Sequence, residues 1–183
     1  MKNWTVMVSD EEIRAARSRR SLRRADRYTV MAVAGLQRCG VLAETGLGGG
    51  GTALLTYSVL GPHATVFATL DDILDYPEDL ILPTKFSHSV VNAAASYIGT
   101  ELGITGATFA LVGFEDVRAE ALSLAKVLLK TGVCTRVLAV GIEERGLLPD
   151  TLGKMLPERF GAGTGDTVEV ALLDGSDAEE LRR

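Results

Sequence analysis

Short apolar runs alternate with longer amphipathic stretches along this chain. Trp4-Thr5-Val6-Met7-Val8 reads as a first strand, followed by apolar runs at 53–59, 109–112, 136–142 and 166–173. Between them lie helical patterns starting near Asp10 and Asp26 and spanning 65–75, 92–102 and 116–130. Strands that alternate with helices of this length predict an α/β protein. Its mainly parallel mixed sheet is covered by helices.

Local signals sharpen several of these elements. Ser9 stands three residues before Glu12, the spacing of a capping box, so a helix is expected from about Asp10. In the second helix Tyr28, Met31, Ala32, Gly35 and Cys39 share one face, and that stripe is thin because several members are small. Val66, Leu70, Ile73 and Leu74 share a face of the third. Pro77 and Pro83 are expected to bracket an irregular segment. In the helix over 116–130, Asp116, Glu120, Ser123, Lys126 and Lys130 gather on one side. Val117, Ala121, Leu122, Leu124, Leu128 and Leu129 gather on the other, with Arg118 as an exception. That pattern suits a helix covered on a single side. Phe109-Ala110-Leu111-Val112 is continuous and apolar, as in a buried strand.

Length and composition narrow the class. At 183 residues and 46% hydrophobic, the chain suits one domain with a sizeable core. Residues 1–22 form an N-terminal strand and basic helix, and 174–183 a mobile acidic tail. The net charge of −5 argues against nucleic-acid binding. No apolar run is long enough for a membrane span, and the N-terminus lacks the apolar core of a signal peptide. Cys39 and Cys134 are far apart and form no CxxC, so reduced thiols in the cytoplasm are expected. The glycines between Thr45 and Thr52 formally match GxGxxG, but a helix precedes them and a strand follows. This reverses the nucleotide-binding order, so they are expected to form a flexible connector. There is no HExxH, no Cys/His cluster and no GxSxG, so no metal or cofactor is expected. Against the acidic average, seven arginines crowd between Arg14 and Arg27. A solvated face explains them. The alternative is a docking surface for an acidic partner, with Arg19, Arg20, Arg23 and Arg24 as its candidates.

Several segments together resemble the N-terminal half of a beta-ketoacyl synthase, a thiolase-fold enzyme. Arg24-Ala25-Asp26-Arg27-Tyr28 is similar to the opening of the family's early helix. The sharpest match is Phe86-Ser87-His88-Ser89-Val90-Val91-Asn92-Ala93-Ala94-Ala95. Phe109–Val112 resembles the strand leading to the nucleophile, and the run from Val137 to Glu144 resembles the strand after the nucleophile helix. The likeness runs from Arg23 to Leu173 and implies one half of a thiolase-like fold, a single ketosynthase N-terminal-like domain over 1–183.

In that family a cysteine sits at the start of the long helix, where the helix N-terminus lowers its pKa. This chain reads Gly113-Phe114-Glu115-Asp116 there; counting from the strand places Glu115 on the cysteine's position, a slip of one residue would place Phe114 or Asp116 there, and none of the three is a cysteine. A carboxylate cannot form the acyl thioester needed for condensation. The two cysteines lie elsewhere and are expected to be core or half-buried thiols. The chain also ends before the half that carries the family's catalytic histidines, so their role does not pass to His88. His63, after Gly61-Pro62, is expected to be exposed, and His88 to hydrogen-bond backbone in a buried irregular segment. As a catalytic pair, Glu115 and His88 remain the only candidates.

The family's counterpart of Phe109–Val112 pairs with its symmetry mate across a dimer. The resemblance therefore implies a homodimer, or a heterodimer with a full-length ketosynthase, with Phe109, Ala110, Leu111 and Val112 as the dimer strand. Three functions follow. The first is a non-condensing, chain-length-factor-like partner in fatty-acid or polyketide-type synthesis that meets an acyl carrier protein. The second is an enzyme using Glu115 as general base on an acyl thioester. The third is a structural or binding homodimer.

Overall fold

A computed structural model describes residues 1–80, 83–160 and 165–176. The five strands are β1 (Lys2–Met7), β2 (Thr52–Ser58), β3 (Thr108–Val112), β4 (Arg136–Glu143) and β5 (Thr167–Asp174). They form one sheet in the order β1-β5-β4-β2-β3. β4 pairs parallel with β2, and β2 with β3. β5 runs antiparallel to both β4 and β1. Four strands therefore point one way and β5 alone is reversed, which gives the mixed, mainly parallel sheet expected.

Helices cover both faces. α1 (Asp10–Arg17), α2 (Arg27–Arg38) and α5 (Ala93–Leu102) pack on one face against Leu54, Leu138, Val140, Ile142, Val168 and Val170. α6 (Val117–Lys130) covers the other, burying Val117, Ala121, Ala125, Leu128 and Leu129 against Ala53, Leu55, Tyr57, Val137 and Ala139. A buried valine or leucine of this kind contributes about 1.5–3 kcal/mol. One-sided cover is what the α6 pattern predicts. Its start is capped by Asp116, whose Oδ1 accepts from Ala119 N–H at 3.0 Å. α1 carries the expected capping box. Ser9 Oγ accepts from Glu12 N–H at 3.3 Å, and Glu12 Oε2 accepts from Ser9 N–H at 2.8 Å.

Several expectations need correction. α2 is not half-covered by a thin stripe: every residue from Tyr28 to Leu36 is buried. It lies between the sheet, α1 and α5, and Gly35 is what lets it approach β5. A Cβ there would lie 2.5 Å from Val168 Cβ. The apolar stripe of α3 (His63–Asp75) does not enter the core. Leu70, Ile73 and Leu74 are exposed, and the helix buries His63 and Thr69 instead. Pro83 opens α4 (Pro83–Ser89), so the segment around His88 is helical rather than irregular. This suits proline, whose missing N–H costs nothing in a first turn. β3 is an edge strand with Phe109 and Val112 exposed, not a buried one.

The glycine-rich connector is held rather than loose. Gly49 N–H donates to Gly103 O at 2.7 Å and its carbonyl accepts from Thr105 N–H at 3.1 Å. On the other side Gly51 O accepts from Thr135 N–H at 2.8 Å. A Cβ on Gly48 would stand 3.1 Å from the Leu102 carbonyl. Close backbone approach accounts for Gly48, and a left-handed φ of +80° and +90° for Gly46 and Gly49. α7 (Leu147–Met155) and α8 (Pro157–Phe160) follow β4. Most of the tail expected to be mobile, residues 177–183, lies outside the described residues.

Candidate functional site

β2, β3 and β4 end on the same side of the sheet, and their carboxyl ends are where open α/β sheets place ligands. Glu143 finishes β4 there and Glu144 follows it directly. Glu143 takes the α6 side. Its Oε1 accepts from Val59 N–H at 2.5 Å and its Oε2 from Ser58 Oγ at 3.1 Å. Ser58 Oγ in turn accepts from Gly61 N–H at 2.7 Å. Burial pushes the Glu143 carboxyl up to about 7, against the pull of the Val59 N–H and the Ser58 hydroxyl. It lines a cavity of about 230 Å³ with Tyr57, Val59, Val117, Arg118 and Glu169. The Tyr57 hydroxyl donates to Glu169 at 3.0 Å, and Arg118 pairs with the same carboxylate at 3.2 Å. This cavity adjoins the head of α6.

Glu144 takes the opposite side. Its Oε1 accepts from Ala64 N–H at 3.0 Å in the first turn of α3 and lies 3.5 Å from His63 Nδ1. Burial raises this carboxyl too, to about 7, and holds His63 below the usual imidazole range. His63 is thus buried, not exposed, with Glu144 beside it. A Cβ on Gly146 would come within 3.0 Å of His63 Nε2, so glycine is needed above the ring. A third carboxylate, Asp166, is 2% exposed and held by Arg27 at 2.8 and 2.5 Å. Burial pushes Asp166 up, and the hydrogen bonds from Arg27 and the Arg145 backbone outweigh it, leaving it below the usual carboxylate range.

The residues singled out from sequence fall in three separate places. Glu115 is exposed, just before α6, and Asp116 rather than Glu115 makes the cap. His88 lies on α4, its ring centroid 5.9 Å from that of Tyr97 on α5. It lines a cavity with Arg24 that does not include Glu115. Arg19 pairs with Glu101 at 3.2 Å, while Arg20, Arg23 and Arg24 are exposed. Phe109, Ala110, Leu111 and Val112 form the free edge, with Ala110 and Leu111 half-buried. Cys134 is buried and Cys39 half-buried, both free thiols, and burial raises both. Among the described residues no group of three metal-ligating side chains forms, and no helix is long and apolar enough to cross a membrane. Glu143, Glu144 and His63 were not foreseen as a site. Their signal was two adjacent carboxylates closing an otherwise apolar strand.

No protein-family model matches the chain, and no curated protein matches it. Solved structures do. One is a ketosynthase, ApeO, in complex with its chain length factor, ApeC, from Xenorhabdus doucetiae. There the TM-score is 0.65 at 18% identity, over 95% of this chain and 77% of that one. A second is the ishigamide ketosynthase/chain length factor, with TM-score 0.69 at 15% identity, over 93% of this chain and 53% of that one. A third is a beta-ketoacyl synthase from Burkholderia phymatum STM815, with TM-score 0.69 at 15% identity, over 90% of this chain and 46% of that one. The chain spans about half the length of the last two. At these identities the likeness establishes the fold: this is a ketosynthase-like thiolase fold.

Proposed function

We propose that this chain is a non-condensing ketosynthase-like subunit that acts beside a full-length ketosynthase, in the manner of a chain length factor. The observation that carries the reading is the head of α6. In this fold, on the family resemblance, that helix start presents the nucleophile, and here it presents exposed Glu115 and the cap Asp116. Neither free thiol is near this position in the chain: Cys39 ends α2 and Cys134 follows α6. The open edge of β3 supports a partner, because exposed apolar edge strands invite pairing. Two of the similar structures are described as ketosynthase and chain length factor together, which favours a heterodimer over a second copy of this chain. Synthesis of a fatty-acid or polyketide-type product, with an acyl carrier protein delivering the chain, is the setting this role implies.

The test is a tagged pull-down from the native cell with intact-mass analysis of the eluate. A one-to-one complex with a full-length ketosynthase is expected. Its condensing activity should vanish when the partner's active-site cysteine is changed and persist with Glu115→Gln here. Recovery of a homodimer alone overturns the reading.

One observation favours a second reading, acid–base work on an acyl thioester. The mostly buried carboxylate in the cavity beside α6 is Glu143, whose pKa of about 7 suits proton transfer near neutrality. Glu115 is exposed, so nothing desolvates it for such a role. If the isolated chain has thioester-directed activity, Glu143→Gln should abolish it and Glu115→Gln should not.

A further inference from the structure

We propose that the outer face of α3 docks a cationic amphipathic helix of a partner protein, with Phe67, Leu70 and Leu74 as apolar anchors and Asp71 and Asp75 as the charged flank. At about 100° per residue these three apolar residues fall within about 60° of one another. Their i, i+3 and i+7 spacing is that of a helix recognition face. They are 46, 47 and 81% exposed. A continuous apolar stripe left in water marks a protein contact more often than scattered single residues do. The side of α3 that meets the rest of the protein is the opposite one. There Thr65 Oγ1 donates to Asp26 at 3.0 Å, Thr69 is buried, and Asp72 pairs with Lys85 at 2.5 Å.

Charge says what covers the stripe. Asp71 and Asp75 run along one flank of it, and Asp79 lies just beyond its end. All three are exposed, and none has an ion-pair partner among the described residues. No lysine or arginine occurs between Arg38 and Lys85, and Lys85 is already paired with Asp72. Arg24 shares a cavity with Thr65 and Asp26, on the inward side of α3. The outer face is therefore apolar with a net negative rim.

That rim argues against three other occupants. An anionic membrane surface would repel it, and helices that lie on such surfaces carry lysine and arginine instead. A second copy packed α3 against α3 about a two-fold axis would bring like-charged flanks together. The basic helix α1 of a second copy has the right charge but no free apolar side, because Ile13 and Ala16 are already buried. A lysine- or arginine-flanked apolar helix from another protein meets both the stripe and the rim. No residue of β3 or of the head of α6 takes part, so this contact and the ketosynthase pairing stand or fall separately.

Fluorescence anisotropy on the full chain supplies the test, with three labelled synthetic peptides. They are an amphipathic leucine–lysine helix, its leucine–glutamate counterpart, and a scrambled leucine–lysine peptide with no apolar face. The leucine–lysine helix is expected to bind at least about tenfold more tightly than the scrambled peptide, and the leucine–glutamate helix not to bind. Leu70→Ala with Leu74→Ala should weaken binding at least about tenfold. The melting temperature should stay within a few degrees, because both leucines are exposed. Asp71→Asn with Asp75→Asn should weaken binding roughly fivefold and reduce its salt dependence. Glu11→Gln, at an exposed acid on α1, should leave it unchanged.

Equal binding of the amphipathic and scrambled leucine–lysine peptides, or binding untouched by the leucine pair, overturns the site. Binding of the chain to phosphatidylserine vesicles that needs Leu70 and Leu74 would assign the face to a membrane. A concentration-dependent dimer that the leucine pair abolishes would assign it to a second copy. Either result overturns a cationic partner.

Discussion

Glu143 and Glu144 are neighbours in sequence, yet their carboxylates serve opposite faces of the sheet, one bound to Val59 N–H and the other to Ala64 N–H. Strand alternation produces this split. Each carboxylate ties the end of β4 to the chain segment that leaves β2. Glu144 takes the place of the side-chain cap that α3 lacks, since Pro62 at its start offers none.

Burial lifts both carboxyls from 4.5 to about 7, so folding takes up protons between those values. The resulting stability is fully present below the unfolded-state value near 4.5 and is lost as pH rises through about 7. Thermal melts should therefore fall by several degrees between pH 5 and pH 8. Glu143→Gln and Glu144→Gln should each flatten that slope, because glutamine keeps an acceptor and carries no charge. An unchanged slope in both variants would refute this origin.

Asp166 acts with the opposite sign. Its lowered pKa makes its contribution complete above the unfolded value of 3.8 and lost as pH falls further. Arg27→Met should leave its buried carboxylate poorly compensated. The expected cost is about 2 kcal/mol, below the roughly 3–5 kcal/mol of fully buried pairs, because Arg145 also reaches Asp166. Urea denaturation at pH 7 measures it, and the loss should shrink at pH 3.

Gly35 sets a contest between propensity and space. Alanine in a helix interior is worth up to about 1 kcal/mol over glycine. Here its methyl would meet Val168 Cβ at 2.5 Å, and both residues are buried. Overpacking of about 1–3 kcal/mol outweighs the gain, so Gly35→Ala should destabilise. Adding Val168→Ala should recover part of the loss, a coupling that a double-mutant cycle reads directly.

The parts legible in sequence were those set by local rules. Ser9 with Glu12, the two-faced α6 and the apolar run of β4 each state their structure within a dozen residues. The fold followed from their alternation, and the glutamate at the head of α6 was visible as soon as that helix was placed. What stayed hidden depended on tertiary neighbours. The stripe Leu70-Ile73-Leu74 has the period of a core helix, but α3 lies at the margin and buries Thr69. His63 follows a turn signal, yet Glu144 lies 81 residues further along and sits beside it. Arg24 and His88 are 64 positions apart, and only the docking of α4 and α5 against the start of α2 puts them on one cavity.

The edge of β3 gives the sharpest test of the proposed pairing. β3 bonds to β2 through Leu54↔Thr108 to Ser58↔Val112, and no described strand occupies its other side. Phe109 is 41% and Val112 46% exposed, so neither contributes much to the core. Lysine is a residue that natural edge strands use to prevent pairing. Phe109→Lys with Val112→Lys should therefore leave the melting temperature within a few degrees of the parent. The same pair should weaken the complex with a ketosynthase by at least about tenfold, as charge placed in the centre of an interface does. Sedimentation of the purified complex across a concentration series reads the second effect. Intact pairing in the double variant would mean that the partner docks elsewhere, and the exposed face of α3 would be the next surface to change.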